Sequence, residues 1–296
     1  MDRNWVSDLQ AIPVGLYEKA LPRDLDWEER MLLAQKAGFD FLEISIDDSD
    51  ERLARLEWTA GERKTLGELV ERTGVRIQSL SLSAHRRFPL GSPSQETRSR
   101  ALDILKRAID LAVELNIRTV LIAGAEDYYG EVDQGSRERF LENLGEGFKL
   151  AAGAGLMLAL ENWDIQINTT PRVMEYVEYF NSPWFQTYID LGNLIYAGVD
   201  VVSQLDHVQG HIASLHVKDT LPGQLRFVAP GEGAVPFVDA FEKLAGIGFQ
   251  APVVLELWTE NFPDAVEIVK QAGVFIRARM AEGWQRYQAK MDSKGE

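Results

Sequence analysis

The sequence predicts an α/β fold of the (β/α)8, or TIM barrel, class, and three observations carry the prediction. Eight short apolar runs of strand length alternate with helical stretches along 296 residues. Strands that each lead into a helix build parallel sheets, and eight such units in a chain of this size match the barrel. The stretch after the first strand, Gly15-Leu16-Tyr17-Glu18-Lys19, is not the glycine-rich phosphate loop that the rival arrangement, a doubly wound open sheet, would carry there.

The first strand is predicted over 12–16 and leads, after Leu25-Asp26, into a helix over 27–37 that Gly38 closes. A second strand over 39–46 precedes a helix near 61–72, and a third over 75–82 runs into a long loop through His85-Arg86-Arg87-Phe88. Ser92-Pro93-Ser94-Gln95 reads as a capping box with Pro at N1, opening a helix to about residue 115. Within it Leu102, Ile104, Leu105, Ile109, Ala112 and Leu115 fall near the i, i+3, i+4, i+7 spacing of a core-facing stripe. The fourth unit pairs a strand over 117–123 with a helix over 136–152. The fifth pairs a strand over 156–160 with a helix that Thr170-Pro171 caps and that runs to about 180. Strands over 185–189, 212–217 and 253–257 complete the eight, with helices near 201–208, 235–245 and 263–284. No repeat beyond the βα period and no low-complexity linker interrupts the chain. Residues 1–296 are therefore read as one domain whose tail, Gln288 to Glu296, is expected to fray.

Composition narrows the function classes. The chain is 45% hydrophobic and 26% charged, an ordinary globular balance with enough apolar material for a large core. With 46 acidic against 31 basic residues the formal net charge is −15, which repels a phosphate backbone or an anionic bilayer. Neither nucleic acid nor a membrane is expected as a partner, whereas a small anionic substrate can still enter a locally basic pocket. Cysteine is absent, excluding disulfides, thiolate metal sites and cysteine nucleophiles. The opening Met-Asp-Arg-Asn-Trp lacks a basic region leading into an apolar one, and no apolar run reaches the ~20 residues of a membrane span. A soluble, cytoplasmic protein is expected, with a homo-oligomer left open.

Chemistry concentrates where the last four strands end. The runs Leu156 to Leu160, Phe185 to Ile189, Ile212 to Leu215 and Val253 to Leu255 lead directly into Glu161, Asp190, His216 and Glu256. Ligands of parallel α/β sheets bind at these carboxyl ends. Any one of these residues is an ordinary strand-end polar group; four at successive ends point to a single divalent cation. Three carboxylates and one imidazole suit Mn²⁺ or Mg²⁺, and Zn²⁺ or Co²⁺ by virtue of the histidine. His207 and His211 precede the seventh strand and are assigned to the opposite face. His85, Arg86 and Arg87 follow the third strand on the active face.

The motifs Leu160-Glu161-Asn162, Ile189-Asp190-Leu191-Gly192-Asn193, His216-Val217-Lys218-Asp219 and Leu255-Glu256-Leu257-Trp258, with Gly231-Glu232-Gly233 before the eighth unit, resemble the xylose isomerase-like TIM-barrel superfamily over nearly the whole chain. That superfamily includes sugar isomerases, ketose 3-epimerases, inosose dehydratases and endonuclease IV. The stretches 12–22, 82–92 and 181–186 are similar to its branch that epimerises pentulose 5-phosphates of the L-ascorbate pathway. The resemblance implies one divalent metal held by Glu161, Asp190, His216 and Glu256. It also implies that Glu161 and Glu256 act on the substrate carbon from opposite faces. One position departs from the pattern: non-phosphorylated ketose epimerases carry a histidine three residues after the sixth-strand aspartate, where this chain has Asn193.

The implied reaction inverts C3 of a ketopentose 5-phosphate, L-xylulose 5-phosphate to L-ribulose 5-phosphate, through a cis-enediolate. Removing a proton beside the C2 carbonyl and returning it to the other face needs a base and an acid on opposite sides, which two carboxylates provide. A dianionic substrate in so acidic a protein needs a local cationic cradle, for which Lys19, Arg86, Arg87, Lys218 and Arg226 are the candidates. Tyr17, His85 and Asn193 are further expected substrate contacts, with Trp163 and Trp258 as carbohydrate-facing aromatics. An aldose–ketose isomerase or a free-ketose 3-epimerase is the alternative on the same barrel. A sugar-responsive binder would have no need of two opposed acid/base groups. An endonuclease IV-like role would want more histidines and a basic face.

Overall fold

The first five strands begin one or two residues inside the apolar runs that encode them, and helix termination explains most of the offset. Phe39, Ile117 and Leu156 each follow a residue with positive φ (Gly38, Asn116, Gly155) and donate their N–H back to the preceding helix, to Ala34, Ala112 and Ala151. These bonds close Schellman motifs, so the leading apolar residue caps a helix before the strand starts. The computed structural model describes residues 9, 11–130, 132–163 and 166–295; the opening Met1 to Trp5 and the terminal Glu296 lie outside them.

The strands are β1 Val14–Tyr17, β2 Phe41–Ile46, β3 Arg76–Leu82, β4 Thr119–Ala123, β5 Met157–Glu161, β6 Phe185–Asp190, β7 Ile212–Val217 and β8 Val253–Leu255. All pair in parallel, in chain order, and β8 returns to β1 to close the barrel. The layer outside consists of α1 Trp27–Lys36, α2 Ala60–Thr73, α3 Gln95–Glu114, α4 Ser136–Gly153, α5 Thr170–Phe180, α6 Val201–Gln204 with a following 3-10 turn, α7 Phe237–Gly246 and α8 Ala265–Gly295. Among the described residues no helix is long and apolar enough to cross a membrane.

Local chemistry sets these boundaries. Asp26 with Glu29 and Thr59 with Glu62 form reciprocal capping boxes at α1 and α2. At α3 the expectation is corrected: Ser94, not Ser92, is the cap, its hydroxyl accepting from Thr97 N, and Pro93 lies outside the helix. Arg98 instead takes up the carbonyls of Ser92 and Pro93 at 2.7 and 2.9 Å. The last helix also continues past 284 to Gly295 where fraying was expected. No Gly or Pro stops it before Gly295, and Arg286 and Lys290 pair with Asp239 and Glu242 on α7.

Two apolar bodies result. The larger lies between strands and helices; the smaller fills the barrel with Tyr17, Phe41, Leu121, Ala159, Tyr188, Val254 and Trp258. Gly15 is required there, because a Cβ on it would come within 2.2 Å of the Phe41 ring. Toward the carboxyl end the interior turns polar, and a charged cluster fastens β1 to β2. Glu18, completely buried, accepts from Ser45 N at 2.6 Å and Arg30 at 3.1 Å and pairs with Arg55. Arg55 in turn lies over the rings of Trp27 and Trp58. Glu18→Gln leaves buried guanidinium groups uncompensated, so urea unfolding should show a stability loss of about 3–5 kcal/mol with an unchanged m value. A loss within experimental error would mean that the cluster does not hold this end of the barrel.

Candidate active site

Glu161 and Asp190 are the last residues of β5 and β6, His216 is the penultimate residue of β7, and Glu256 directly follows β8. Parallel pairing brings them to one end of the barrel: Asp190 pairs directly with His216, Glu161 pairs with Tyr188 two residues before Asp190, and Glu256 N donates to Val217 O at 3.0 Å. One ligand atom from each of the four lies within 4.8 Å of the others, and all four residues are buried. His216 Nδ1 stands 3.1 Å from Glu161 Oε1 and 3.9 Å from both Asp190 Oδ2 and Glu256 Oε2.

The carboxylates are held from behind. Asp190 caps the short helix Leu191–Tyr196, its Oδ1 accepting from Asn193 N at 2.9 Å, while Oδ2 is ion-paired with Lys218 Nζ at 2.8 Å. Gly192 permits this close turn, since a Cβ would meet the Thr220 hydroxyl at 2.4 Å and the Lys218 carbonyl at 2.7 Å. Asn162 bridges β5 to β6 by accepting from Asp190 N and donating to Asp190 O. Asn193 donates to Asn162 O and accepts from Lys218 Nζ at 2.8 Å; Lys218 also donates to Glu256 Oε2 at 2.7 Å.

This packing sets unequal proton affinities. Burial pushes Asp190 up to about 7 against the pull of Lys218, with the nearby Glu256 and Glu161 charges adding to the rise. Burial likewise raises Glu161. Burial opposes ionisation of Glu256 too, but Lys218 and His216 outweigh it and hold that carboxyl down to about 2. Burial disfavours the charged forms of His216 and Lys218, yet the carboxylates around them raise both. A buried cluster of three carboxylates, with an imidazole nitrogen aimed into the group, is able to bind a divalent cation.

Above the cluster, Tyr17, Lys19, Ser81, Ser83, Arg86, Trp163, Arg226 and Trp258 line one cleft together with Glu161 and Glu256. Lys19 is paired with Asp47 at 2.6 Å and Arg86 with Asp48 at 3.2 Å; Arg226 lies over the Trp258 ring at 4.7 Å. Tyr17 turns its hydroxyl to Ser45 at 3.0 Å. Two expectations are corrected. His85 is 3% exposed and turned toward α3, its Nε2 against Ala101 O, with burial pushing its pKa down to about 4. The 3-10 turn Ala84–Arg86 sends neighbouring side chains to different sides, so Arg86 reaches the cleft and His85 does not. Arg87 is drawn outward to Asp50 at 2.6 Å. Lys218 lies against Asp190, Glu256 and Asn193 beneath the cleft, and Asn193 is tied to Asn162 and Lys218.

Sequence reasoning passed over Glu43, Ser79 and Tyr188, which lie under His216: Glu43 Oε1 is 2.7 Å from His216 Nε2. The available signal was a single acidic residue in an apolar strand.

The family model of the xylose isomerase-like TIM barrel matches residues 31–279. The chain is 43% identical over 272 residues to proteins of Escherichia coli O1:K1 and Escherichia coli O157:H7 named L-ribulose-5-phosphate 3-epimerase UlaE, covering 92% of this chain and 96% of each relative. Among solved structures, an L-ribulose 3-epimerase superposes with a TM-score of 0.76 at 21% identity, covering 95% of this chain and 98% of its own. The D-allulose 3-epimerase of Methylomonas sp., solved with D-allulose, gives 0.75 at 17% identity, covering 90% and 97%. At these identities the two structures speak to fold alone. The extent of the family match and the identity to curated relatives show that this chain belongs to the xylose isomerase-like TIM barrel family.

Proposed function

We propose that the chain is a divalent-metal-dependent 3-epimerase acting on a ketopentose 5-phosphate, interconverting L-xylulose 5-phosphate and L-ribulose 5-phosphate through a cis-enediolate. The observation that carries the reading is the convergence of Glu161, Asp190, His216 and Glu256 within 4.8 Å beside a cleft lined by three cationic side chains. The name of the 43%-identical relatives supports the phosphorylated pentulose.

Glu161, Asp190, His216 and Glu256 would hold the cation, with Mn²⁺ best suited to three oxygens and one nitrogen and Mg²⁺, Zn²⁺ or Co²⁺ as substitutes. When bound, it would supply Lewis-acid stabilisation of the charge that develops on the ketose O2. Glu161 and Glu256 reach the cleft from β5 and β8, on separate sides of the substrate, so one carboxylate removes the C3 proton and the other returns a proton to the opposite face. Lys19, Arg86 and Arg226 reach the cleft from loops after β1, β3 and β7 and form the cradle for the phosphate. Tyr17, Trp163 and Trp258 wall the sugar.

The direct test is incubation of the metal-loaded protein with L-xylulose 5-phosphate in D₂O, followed at C3 by NMR. Deuterium at C3 and accumulation of L-ribulose 5-phosphate are expected; a metal-loaded protein that leaves C3 unexchanged would contradict the assignment. Glu161→Gln and Glu256→Gln each remove an acid/base group but keep an oxygen, so kcat should fall by ~10²–10⁴ while metal is still taken up. Near wild-type turnover in either variant would rule out the two-carboxylate mechanism. Lys19→Ala and Arg86→Ala should raise KM for the phosphorylated ketose by roughly 10- to 100-fold, the size of a charge-assisted hydrogen bond, with little change for the free ketose. Equal efficiency of the wild-type protein on free and phosphorylated pentuloses would move the substrate class to free ketoses.

A further inference from the structure

Beneath the four strand-end donors the barrel holds one acidic side chain that the proposed chemistry does not use. Glu43 is the third residue of β2 and is fully buried. Barrel interiors are ordinarily filled by branched apolar side chains, and a carboxylate there is unfavourable unless its oxygens are satisfied. Both oxygens of Glu43 are. Oε1 lies 2.7 Å from His216 Nε2, and Oε2 accepts from the Ser79 hydroxyl at 2.7 Å and the Tyr188 hydroxyl at 2.6 Å.

These partners come from β7, β3 and β6, so one carboxylate joins four strands across the barrel axis. Two of the residues sit where the ladders break step. Register shifts between Leu42 and Glu43 where β2 pairs with β3, and between Thr187 and Tyr188 where β6 pairs with β7. Such irregularities turn side chains out of their regular alternation and are common beside functional sites. Here both lie at residues that meet under His216.

The placement of the two ring nitrogens carries the consequence. A histidine that gives one ring nitrogen to a cation carries its proton on the other, and here that other nitrogen, Nε2, has the Glu43 carboxylate 2.7 Å away to donate to. In the neutral ring this leaves the lone pair on Nδ1, the nitrogen that faces Glu161, Asp190 and Glu256 at 3.1, 3.9 and 3.9 Å. Without a partner at Nε2 the ring is free to rotate or to carry its proton on Nδ1, which cannot then be a ligand. We infer that Glu43 is a positioning residue: it fixes the tautomer and orientation of His216 so that Nδ1 is presented to the divalent cation, while Ser79 and Tyr188 hold the carboxylate in place. This rests on the reading of Glu161, Asp190, His216 and Glu256 as the cation site.

The test compares metal-free wild-type protein with Glu43→Gln and Tyr188→Phe by calorimetric titration with Mn²⁺, and by ¹⁵N NMR of ring-labelled histidine in the Zn²⁺-loaded proteins. The chain has 4 histidines, which keeps the spectrum assignable. Glutamine offers one acceptor oxygen to three donors, so the Mn²⁺ Kd should rise about 10- to 100-fold, the usual cost of losing a partner behind a metal-binding histidine. Tyr188→Phe should raise it less. In the wild-type protein His216 should show a protonated Nε2 and a metal-shifted Nδ1; the Gln variant should lose that single signature, with KM for the pentulose little changed. An unchanged Kd in Glu43→Gln, with one equivalent bound by wild type, would overturn this role and leave the cation site standing. Absence of Mn²⁺ and Zn²⁺ binding by wild type would overturn the cation site and this role together. Should Glu43→Gln not fold, Tyr188→Phe decides: an unaltered Kd and ring spectrum would overturn the proposal.

Discussion

Three carboxylates buried within a few ångströms of one another repel strongly, and the rest of this structure is arranged around that fact. Isolated buried carboxylates are costly, and one lysine and one imidazole provide the nearby positive charge. Lys218 sits between Asp190 and Glu256, His216 between Glu161 and Glu43, and their combined charge falls short of the acids they face. A divalent cation removes the deficit, which is why the same geometry that strains the protein alone suits a metal.

The barrel supplies the rigidity that such an arrangement needs. Glu161, Asp190, His216 and Glu256 lie on or directly after neighbouring parallel strands, whose register fixes them at the same end of the barrel. Asn162, Asn193 and the short helix after Asp190 then fix the direction of each oxygen. The cleft above is built differently, from loops whose cations are already paired with Asp47 and Asp48. Its charge is therefore held in position by those pairs, while the four donors stay on the strands.

Most of the barrel and the four donors could be read from the residues, because both depend on local pattern. A strand buried on both faces shows as an apolar run, and a polar residue at its end stands out. Strand starts were less legible: Phe39, Ile117 and Leu156 look like strand residues but close Schellman motifs on the preceding helices. Glu43 was missed for a related reason. In Phe41-Leu42-Glu43-Ile44-Ser45-Ile46 a lone acid reads as an edge charge, and only closure of the barrel turns it inward toward His216. Loop side chains were the least legible, because direction there is set by turns of three or four residues. His85 and Arg86 are adjacent in sequence, yet one packs on α3 and the other reaches the cleft. Lys218 was expected at the phosphate from its place after the seventh strand; that it also pairs with Asp190 and Glu256 depends on barrel closure, which local pattern does not display.

The claim on which the account turns is that these four side chains converge on one cation. Crystals grown with Mn²⁺ and measured at an energy where manganese scatters anomalously test it without reference to turnover. The account expects one strong anomalous peak per chain, bounded by Glu161, Asp190, His216 Nδ1 and Glu256. Saturating Mn²⁺ that gives no peak there, or a peak elsewhere in the barrel, would contradict it.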